Sequence, residues 1–390
     1  MDVIELRDLI KKGEDSSNQF KVRIDSPRDL AAEIVAFANT RGGNLYIGVD
    51  SEGNMIGIDS NEMERVNQMI SNACSQLIDP PIKVETENVV VDYERNKVVV
   101  VIKVPMGANK FYLANSRDVW VKVGADKRRA SREELRRLLQ ESGELFADEQ
   151  LLEGTGIADF DLDRCRNFIE QRIGQSIEEQ DLSFEQLLSN LKLVKDKKCT
   201  LAGLLLFGKS EYWHDPRFVI SAVSWVGDDP AENEYLDSED ISGNIVELFK
   251  GAKSFLKRQL RKRQGNQGFN TRGILEIPED ALEEALVNAL VHRNYFMNSY
   301  IRIMVFDNRV EINSPGLLPN TLTIESIKLG VHSSRNPVIL SAVKDIPKIP
   351  YRGMGTGVRR IITSCEKAGI DVEFINEKET EQFKVVFWRK

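Results

Sequence analysis

Apolar and polar residues alternate with a helical period in several stretches, and the clearest begins at Ser26. Ser26 can cap a first turn and Pro27 suits the first helical position, so a helix starts here. Apolar residues then recur three and four positions apart as far as Ala38, which predicts one buried face. Gly42-Gly43 predicts a turn, and the apolar run 45–49 predicts a strand.

The same reasoning predicts other elements along the chain. A capping box at 131–134 starts another helix, and from residue 279 a helix places Glu284, Asn288 and His292 on one face. Further predicted elements are a helix at 5–12, strands at 19–22, 98–104, 120–123, 201–207, 218–226 and 383–388, a helix at 241–260 and a linker at 264–268. These elements predict a mixed α/β (α+β) fold.

Composition limits the class of protein. A length of 390 residues suggests two or three domains. We expect three, which are an N-terminal domain at 1–146, a central α/β connector at 147–270 and a C-terminal domain at 271–390. The net charge of −8 means that nucleic-acid binding would need a local basic patch. Four widely spaced cysteines favour reduced thiols and argue against zinc. Without a signal peptide or an apolar run of about 18 residues, we expect a cytoplasmic protein.

Two motifs allow competing interpretations. Residues 203–210 match the phosphate-binding pattern GxxxxGK[ST], but bulky apolar residues fill the loop positions, so we reject this site. Around the helix start at residue 131 lies a set of cations that forms either a solvated helix face or a phosphate-binding patch. Its members are Lys127, Arg128, Arg129, Arg132, Arg136 and Arg137.

The stretch AFANTRGGNLYIGVDSEGNMIGID resembles the signature of the Schlafen AlbA_2 (divergent AAA-4) domain, a nucleic-acid-associated module. The resemblance extends from about Leu6 to Glu141 and implies an AlbA-like domain at 1–146. It favours phosphate contacts by Lys21, Arg41 and the cations from Lys127 to Arg136.

Some Schlafen relatives are nucleases with a metal-dependent acidic site. The matching positions here are Glu14, Gln19 and Asp50, so the resemblance offers a metal-dependent nuclease that acts in phage defence as an alternative function. Gln19 removes one expected negative charge. We therefore favour the interpretation of Glu14 and Asp50 as exposed turn residues over a cleavage site.

The segments EALVNALVHRNY and GMGTGVRRI carry a second resemblance. They resemble the N-box helix and the glycine-rich box of the GHKL ATP-binding fold, in the variant found in RecG-related proteins and transcriptional regulators. The resemblance implies an α/β sandwich at 271–390 in which Glu284 activates the attacking water and Asn288 ligates Mg²⁺. ATP would be held by His292, Gly353, Gly355, Thr356 and Gly357. Alternating glycines before a helix are suited to phosphate.

One departure limits this second resemblance. GHKL proteins read adenine through an aspartate, and the equivalent stretch 313–317 has none, so adenine specificity is not implied. We predict a cytoplasmic nucleic-acid-binding protein that responds to ATP and Mg²⁺, a transcriptional regulator with weak ATPase activity at most. The resemblance implies a homo-oligomer; many relatives continue into a winged helix-turn-helix, which we do not expect in this chain. An oligomeric scaffold with degenerate sites is the third alternative.

Overall fold

The computed structural model describes residues 2–107, 111–209, 215–230, 234–263, 273–319, 322–351, 353 and 355–390. The chain forms two compact units, Met1–Leu145 and Phe146–Lys390. The first unit ends next to the predicted boundary at 146. The predicted boundary at 270 separates no units, because the predicted connector and C-terminal domain lie in one unit. The predicted linker at 264–268 lies outside the described residues.

The first unit is built on a mixed sheet with helices packed on it. The sheet has the order β1-β2-β6-β3, with β5 also on β6; β1 and β2 are parallel and the other pairs are antiparallel. The elements are α1 (Val3–Ile10), β1 (Asn18–Lys21), α2 (Pro27–Ala38), β2 (Gly43–Ile47), β3 (Ile58–Asp59), α3 (Met63–Asn72), β4 (Ile78–Asp79), β5 (Glu85–Asp92), β6 (Lys97–Val104), β7 (Leu113–Ala114), β8 (Trp120–Val123), β9 (Asp126–Arg129) and α4 (Arg132–Glu141).

Strand alternation buries both faces of this sheet. Leu45 and Ile47 of β2 join the cluster formed with α2 and α3, whereas Tyr46 between them joins the cluster formed with Leu6 and Ile10 of α1. Successive side chains of a strand point to opposite faces. The continuous apolar run at 98–104 therefore predicts a central strand covered on both sides, and β6 occupies that position.

The helix–glycine–strand prediction is confirmed. Ser26 caps α2 by accepting from the Arg28 N–H, and the helix ends before a turn in which Gly42 has φ of +74°. A Cβ on Gly42 would lie 2.6 Å from the Met106 amide nitrogen, and one on Gly43 would lie 2.5 Å from the Phe37 ring. Both glycines are required by close approach, and at Gly42 also by the left-handed backbone.

The second unit has a six-stranded mixed sheet in the order β13-β12-β16-β17-β19-β18. Strands β12 and β16 are parallel, and the other neighbours are antiparallel. The elements are α5 (Leu162–Ile173), α6 (Phe184–Asn190), β10 (Val194–Lys195), β11 (Lys198–Cys199), α7 (Leu201–Phe207), β12 (Val219–Trp225), β13 (Tyr235–Ser242), α8 (Ile245–Gln259), β14 (Lys262–Arg263), β15 (Ile274–Leu275), α9 (Glu279–His292), β16 (Ile301–Val305), β17 (Arg309–Pro315), α10 (Ile324–Lys328), α11 (Pro337–Val343), α12 (Gly357–Ala368), β18 (Val372–Glu377) and β19 (Gln382–Trp388). Because β12 and β13 come from the predicted connector, one sheet spans the predicted boundary at 270.

One predicted element of this unit is wrong, and another begins later than predicted. The run 201–207 is the helix α7, capped by Thr200, and all seven of its residues are buried. Periodicity cannot distinguish a buried helix from a buried strand when both are apolar on every side. The same helix contains Gly203, which agrees with rejecting a phosphate loop at 203–210, although Ser210 lies outside the described residues. The predicted helix 241–260 begins only at Ile245, because residues up to Ser242 complete β13.

All four cysteines lie in the protein interior, and burial raises the pKa of each thiol. Cys74, Cys165, Cys199 and Cys365 are buried and form no disulfide. Burial raises the pKa of Cys74 and Cys199 to about 11 and that of Cys165 and Cys365 to about 12. None of the helices in the described ranges is both long and apolar enough to cross a membrane.

A buried carboxylate fixes the start of α11. Asp148 is fully buried, and its Oδ2 accepts from the Val338 and Ile339 N–H groups at 2.8 and 3.0 Å. Burial raises its pKa to about 6. The stabilising contribution is therefore complete below the unfolded pKa near 3.8 and is lost as pH rises through about 6.

The Asp148→Asn variant should remove this pH dependence. For the unchanged protein we expect Asp148 to lower the free energy of unfolding by about 2 kcal/mol between pH 4 and pH 7. Urea denaturation at several pH values measures the slope, with the exposed Asp181→Asn as the matched control. An unchanged slope in Asp148→Asn would contradict a shifted carboxyl at this position.

Candidate functional site

Helix α9 places the three predicted residues on the wall of one cavity. Glu284, Asn288 and His292 all line it, and α9 packs against α12, which begins at Gly357. The apolar residues of α9 from Ala281 to Leu290 are buried as the sequence predicts, and Ala285 and Ala289 among them also line the cavity. The four-residue spacing therefore turns one polar face of an otherwise apolar helix toward the cavity.

The carboxylate of Glu284 is buried and bonded on one side only. Its side chain is 5% exposed, and Oε2 accepts from Nη2 of Arg360 at 2.5 Å. Its other oxygen, Oε1, has no hydrogen bond of good geometry among the described residues, although the Asn288 side chain lies close enough to lower the pKa of the carboxyl. Burial raises the pKa of Glu284, while Arg360 and Asn288 act in the opposite direction. A buried, half-satisfied carboxylate is costly and usually indicates a site for a ligand, ion or water.

The glycine segment lies directly against this carboxylate. A Cβ on Gly357 would be 2.1 Å from Glu284 Oε1, so no other residue fits without displacing Glu284. Gly353 and Gly355 have φ of +64° and +67°, and a Cβ on Gly355 would lie 2.7 Å from the Gly330 carbonyl oxygen. Thr356 precedes α12 but makes no side-chain cap bond. Arg352 and Met354 of the same segment lie outside the described residues.

His292 is held neutral at the far end of the polar face. Burial, with Arg335 and His332 nearby, lowers its pKa to about 4. Arg335 donates to the carbonyl oxygens of His292 at 3.4 Å and Leu317 at 2.8 Å, which ties the end of α9 to the stretch after β17. A neutral imidazole can hydrogen-bond a ligand but cannot neutralise phosphate charge.

The rest of the cavity is mainly apolar. Its described lining from the sheet and the following loops is Ile312, Ser314, Leu317, Leu318, Pro319, Leu322, Ile327, Phe374, Phe383 and Val385. Ser314 Oγ donates to the Ala289 carbonyl oxygen at 3.2 Å. Glu284 is the only carboxylate in the described lining. An apolar lining with a few convergent polar groups is typical of small-molecule sites.

These residues fit a metal ion only together with a ligand's own oxygens. In the parts of the chain that the structure describes, no three His, Cys, Asp or Glu side chains are grouped to hold a metal. Glu284 Oε1 and the Asn288 amide offer two oxygen donors at most. Mg²⁺ is commonly bound through one or two carboxylates plus substrate phosphates. The donor set thus fits a magnesium–nucleotide complex and does not fit a free metal site.

In the first unit, the predicted acidic site is closed by a buried lysine. Glu14 Oε1 accepts from Gln19 Nε2 at 2.5 Å and from the Phe20 N–H at 2.8 Å. Lys122, 5% exposed, donates from Nζ to Gln19 Oε1 and to the Ala125 carbonyl oxygen. Burial lowers the pKa of Lys122. The charge of Glu14 opposes this effect, so the Lys122 ammonium group offsets the negative charge of the predicted acidic site.

Asp50 is fully engaged in its own turn. Oδ1 accepts from the N–H groups of Glu52 and Asn54 at 3.0 and 2.8 Å, and Oδ2 from Asn54 Nδ2 at 2.9 Å. The Asn54 bonds lower the pKa of Asp50. This is the arrangement of an exposed Asx turn. The geometry does not favour the nuclease alternative.

Several of the predicted nucleic-acid-binding cations contact carboxylates of the first unit. Lys21 and Lys127 both contact Glu33 Oε1, at 3.1 and 2.8 Å. Although burial acts to raise the pKa of Glu33, Lys127 and Lys21 lower it below the usual value. Sequence analysis missed Glu33; its signal was a carboxylate inside the apolar run of α2, which predicts a buried ion pair.

Two more of these cations hold the β8–β9 hairpin and α4. Arg128 forms two bonds to Glu134, at 2.7 and 2.8 Å, and lowers the pKa of Glu134 to about 2. Arg129 contacts Asp118 at 3.1 Å. Lys127 and Arg129 also lie over the Trp120 ring. Arg41, Arg132 and Arg136 remain exposed.

Comparison with known proteins finds family matches over parts of both units. Residues 14–131 match the family model described as Schlafen, AlbA_2. Residues 298–387 match the model described as putative ATP-dependent DNA helicase recG C-terminal, and residues 136–219 match a domain of unknown function. The C-terminal match includes the glycine segment and begins after α9, so the assignment of Glu284 and Asn288 depends on geometry.

Matches to whole proteins are distant. Among solved structures, the DIP2311 protein from Corynebacterium diphtheriae is 20% identical, with 96% of this chain and 75% of that chain covered and a TM-score of 0.48. A likeness at this level carries no argument about function. No curated protein matches the sequence.

Proposed function

We propose that this chain, which joins a Schlafen AlbA_2 domain to a C-terminal domain of the putative recG C-terminal family, is a nucleic-acid-binding protein whose state responds to a bound nucleotide. The family matches support a nucleic-acid-related function with an ATPase-type domain. That the protein binds nucleic acid in response to a nucleotide, and acts as a regulator, is our proposal.

One observation carries the nucleotide part of the proposal. The unpartnered Oε1 of Glu284 and the glycine segment meet at the start of α12, inside a cavity with an apolar side. Phosphates would lie at the start of α12, where free backbone N–H groups and the helix dipole favour negative charge. The nucleoside would contact the apolar lining.

Each polar residue has a proposed role. Glu284 and Asn288 would supply oxygen atoms toward the phosphates, and His292 would hydrogen-bond as a neutral group. A magnesium ion bound with the nucleotide would offset phosphate charge. Glu284 forms an ion pair with Arg360, so it is not free to activate a water molecule. The proposal therefore favours nucleotide binding, with weak turnover at most.

Calorimetric titration of the protein with ATP, ADP and GTP, each with Mg²⁺, tests this part. We expect one nucleotide bound per chain, with small discrimination between ATP and GTP because no carboxylate in the described lining can read the adenine amino group. Absence of binding heat and of any thermal shift with all three nucleotides would contradict the proposal and favour the scaffold interpretation.

The first unit supports the nucleic-acid part through its exposed cations. Arg41, Arg132 and Arg136 are exposed, and Lys127, Arg128 and Arg129 bind carboxylates of the protein. Contacts to phosphate give affinity without reading sequence. We propose a binder with salt-sensitive, largely sequence-independent affinity. The homo-oligomer remains part of the proposal.

A further inference from the structure

The ion pair between Arg360 and Glu284 has a geometry that the nucleotide site does not require. Arg360 lies on the first turn of α12, and its Nη2 donates to Glu284 Oε2 at 2.5 Å. The Arg360 side chain is 38% exposed, whereas that of Glu284 is 5% exposed. The pair thus joins a buried anion to a cation that reaches the cavity from its rim, and both residues line the cavity.

Each partner has a hydrogen-bonding atom to spare. Glu284 Oε1 and Arg360 Nε are both buried without a hydrogen-bond partner among the described residues. A guanidinium group can donate two parallel bonds to one anion, and phosphate oxygens match that fork well. Here Arg360 donates to the Glu284 carboxylate from Nη2 and not from Nε. The pairing is incomplete on both sides.

The carboxylate also occupies the position of an anionic ligand. Oε1 lies against Gly357, the first residue of α12, where a helix favours negative charge. Burial opposes ionisation of Glu284, and Arg360 counters this. In the chain without nucleotide, Glu284 therefore takes the place at α12 that a phosphate would take.

We propose that Glu284 is a built-in anion that holds Arg360 in the nucleotide-free protein, and that the terminal phosphate of a nucleoside triphosphate displaces it. This inference depends on the proposed nucleotide site. The displacement makes Arg360 the residue that distinguishes triphosphate from diphosphate. It also releases the Glu284 carboxylate from its ion pair only when a triphosphate is bound.

Calorimetric affinities for ATP and ADP with Mg²⁺ test the inference in a set of variants. A charged hydrogen bond to a terminal phosphate corresponds to a preference for ATP over ADP of about 10-fold or more. We expect Arg360→Met to reduce this preference to below about 3-fold and Arg360→Lys to restore part of it, because the charge remains. Glu284→Gln should raise the ratio of ATP affinity to ADP affinity about 10-fold, since Arg360 is no longer held.

The neighbouring Arg359→Met is the matched control. Its guanidinium donates to the Lys328 and Leu329 carbonyl oxygens, away from the cavity lining, so the ATP-to-ADP ratio should stay unchanged. An unchanged ratio in Arg360→Met, or a ratio that is not raised in Glu284→Gln, would overturn the inference and leave the nucleotide site standing. If no variant and no unchanged protein binds nucleotide, the proposed function fails and the inference with it.

Discussion

Gly357→Val is expected to weaken nucleotide binding by about 100-fold or more. The Cβ alone would lie 2.1 Å from Glu284 Oε1 and 3.2 Å from Asn288 Nδ2, and the two methyl groups need further room. Glu284 cannot move freely because it is buried and paired with Arg360. The side chain would also fill the space at the start of α12 where phosphates are proposed to bind.

Ala368→Val provides the control for this prediction. It introduces a β-branched side chain at an exposed position of the same helix, so it tests the effect of valine on the helix without touching the cavity. Calorimetry with ATP and ADP measures both variants, after circular dichroism has shown that each is folded. Binding by Gly357→Val at the strength of the unchanged protein would mean that the glycine segment does not hold phosphate.

The second large effect is expected on nucleic-acid binding. Replacing Arg41, Arg132 and Arg136 together with glutamine should weaken affinity roughly 100-fold at low salt and reduce the slope of log K against log salt by about 3. Each exposed cation that neutralises a phosphate contributes close to one unit of slope. Fluorescence anisotropy with labelled single-stranded and duplex DNA and with RNA measures both quantities.

The control changes the same charge elsewhere. Lys195, Lys367 and Lys378 are exposed in the second unit, and their triple glutamine variant alters net charge by the same three units. Its salt slope should match that of the unchanged protein. If both triple variants lower affinity equally, overall charge rather than a local surface determines binding, and the proposed interface is wrong.

Local signals predicted much of the fold. The cap at Ser26, the apolar stripe and the glycine pair locate α2 and its turn, because each acts over a few residues. In the same way, the capping box at Ser131 located the start of α4, and the apolar stripe located α9. The apolar pattern did not identify α7 as a helix, because all of its residues are buried. It also placed the start of α8 too early, because β13 ends only two residues before the helix begins.

The candidate site was predicted only as far as spacing within one helix allows. Glu284, Asn288 and His292 were found from their four-residue repeat, but the Arg360 partner lies 76 residues away from Glu284. Lys122 is 103 residues from Gln19. Such pairs form because folding brings separate elements together, and a single sequence contains no measure of that distance. Glu33 was the exception that its apolar surroundings could have revealed.

The most direct test of the account measures nucleic-acid affinity with and without nucleotide. The unchanged protein is titrated onto labelled nucleic acid in Mg²⁺ buffer alone, with ADP, and with a non-hydrolysable ATP analogue, and Gly357→Val is treated in parallel. We expect nucleotide to change the dissociation constant for nucleic acid by about 5-fold or more, and Gly357→Val to remove this response. Identical dissociation constants under all three conditions, with nucleotide binding shown separately, would contradict a nucleotide-responsive nucleic-acid binder.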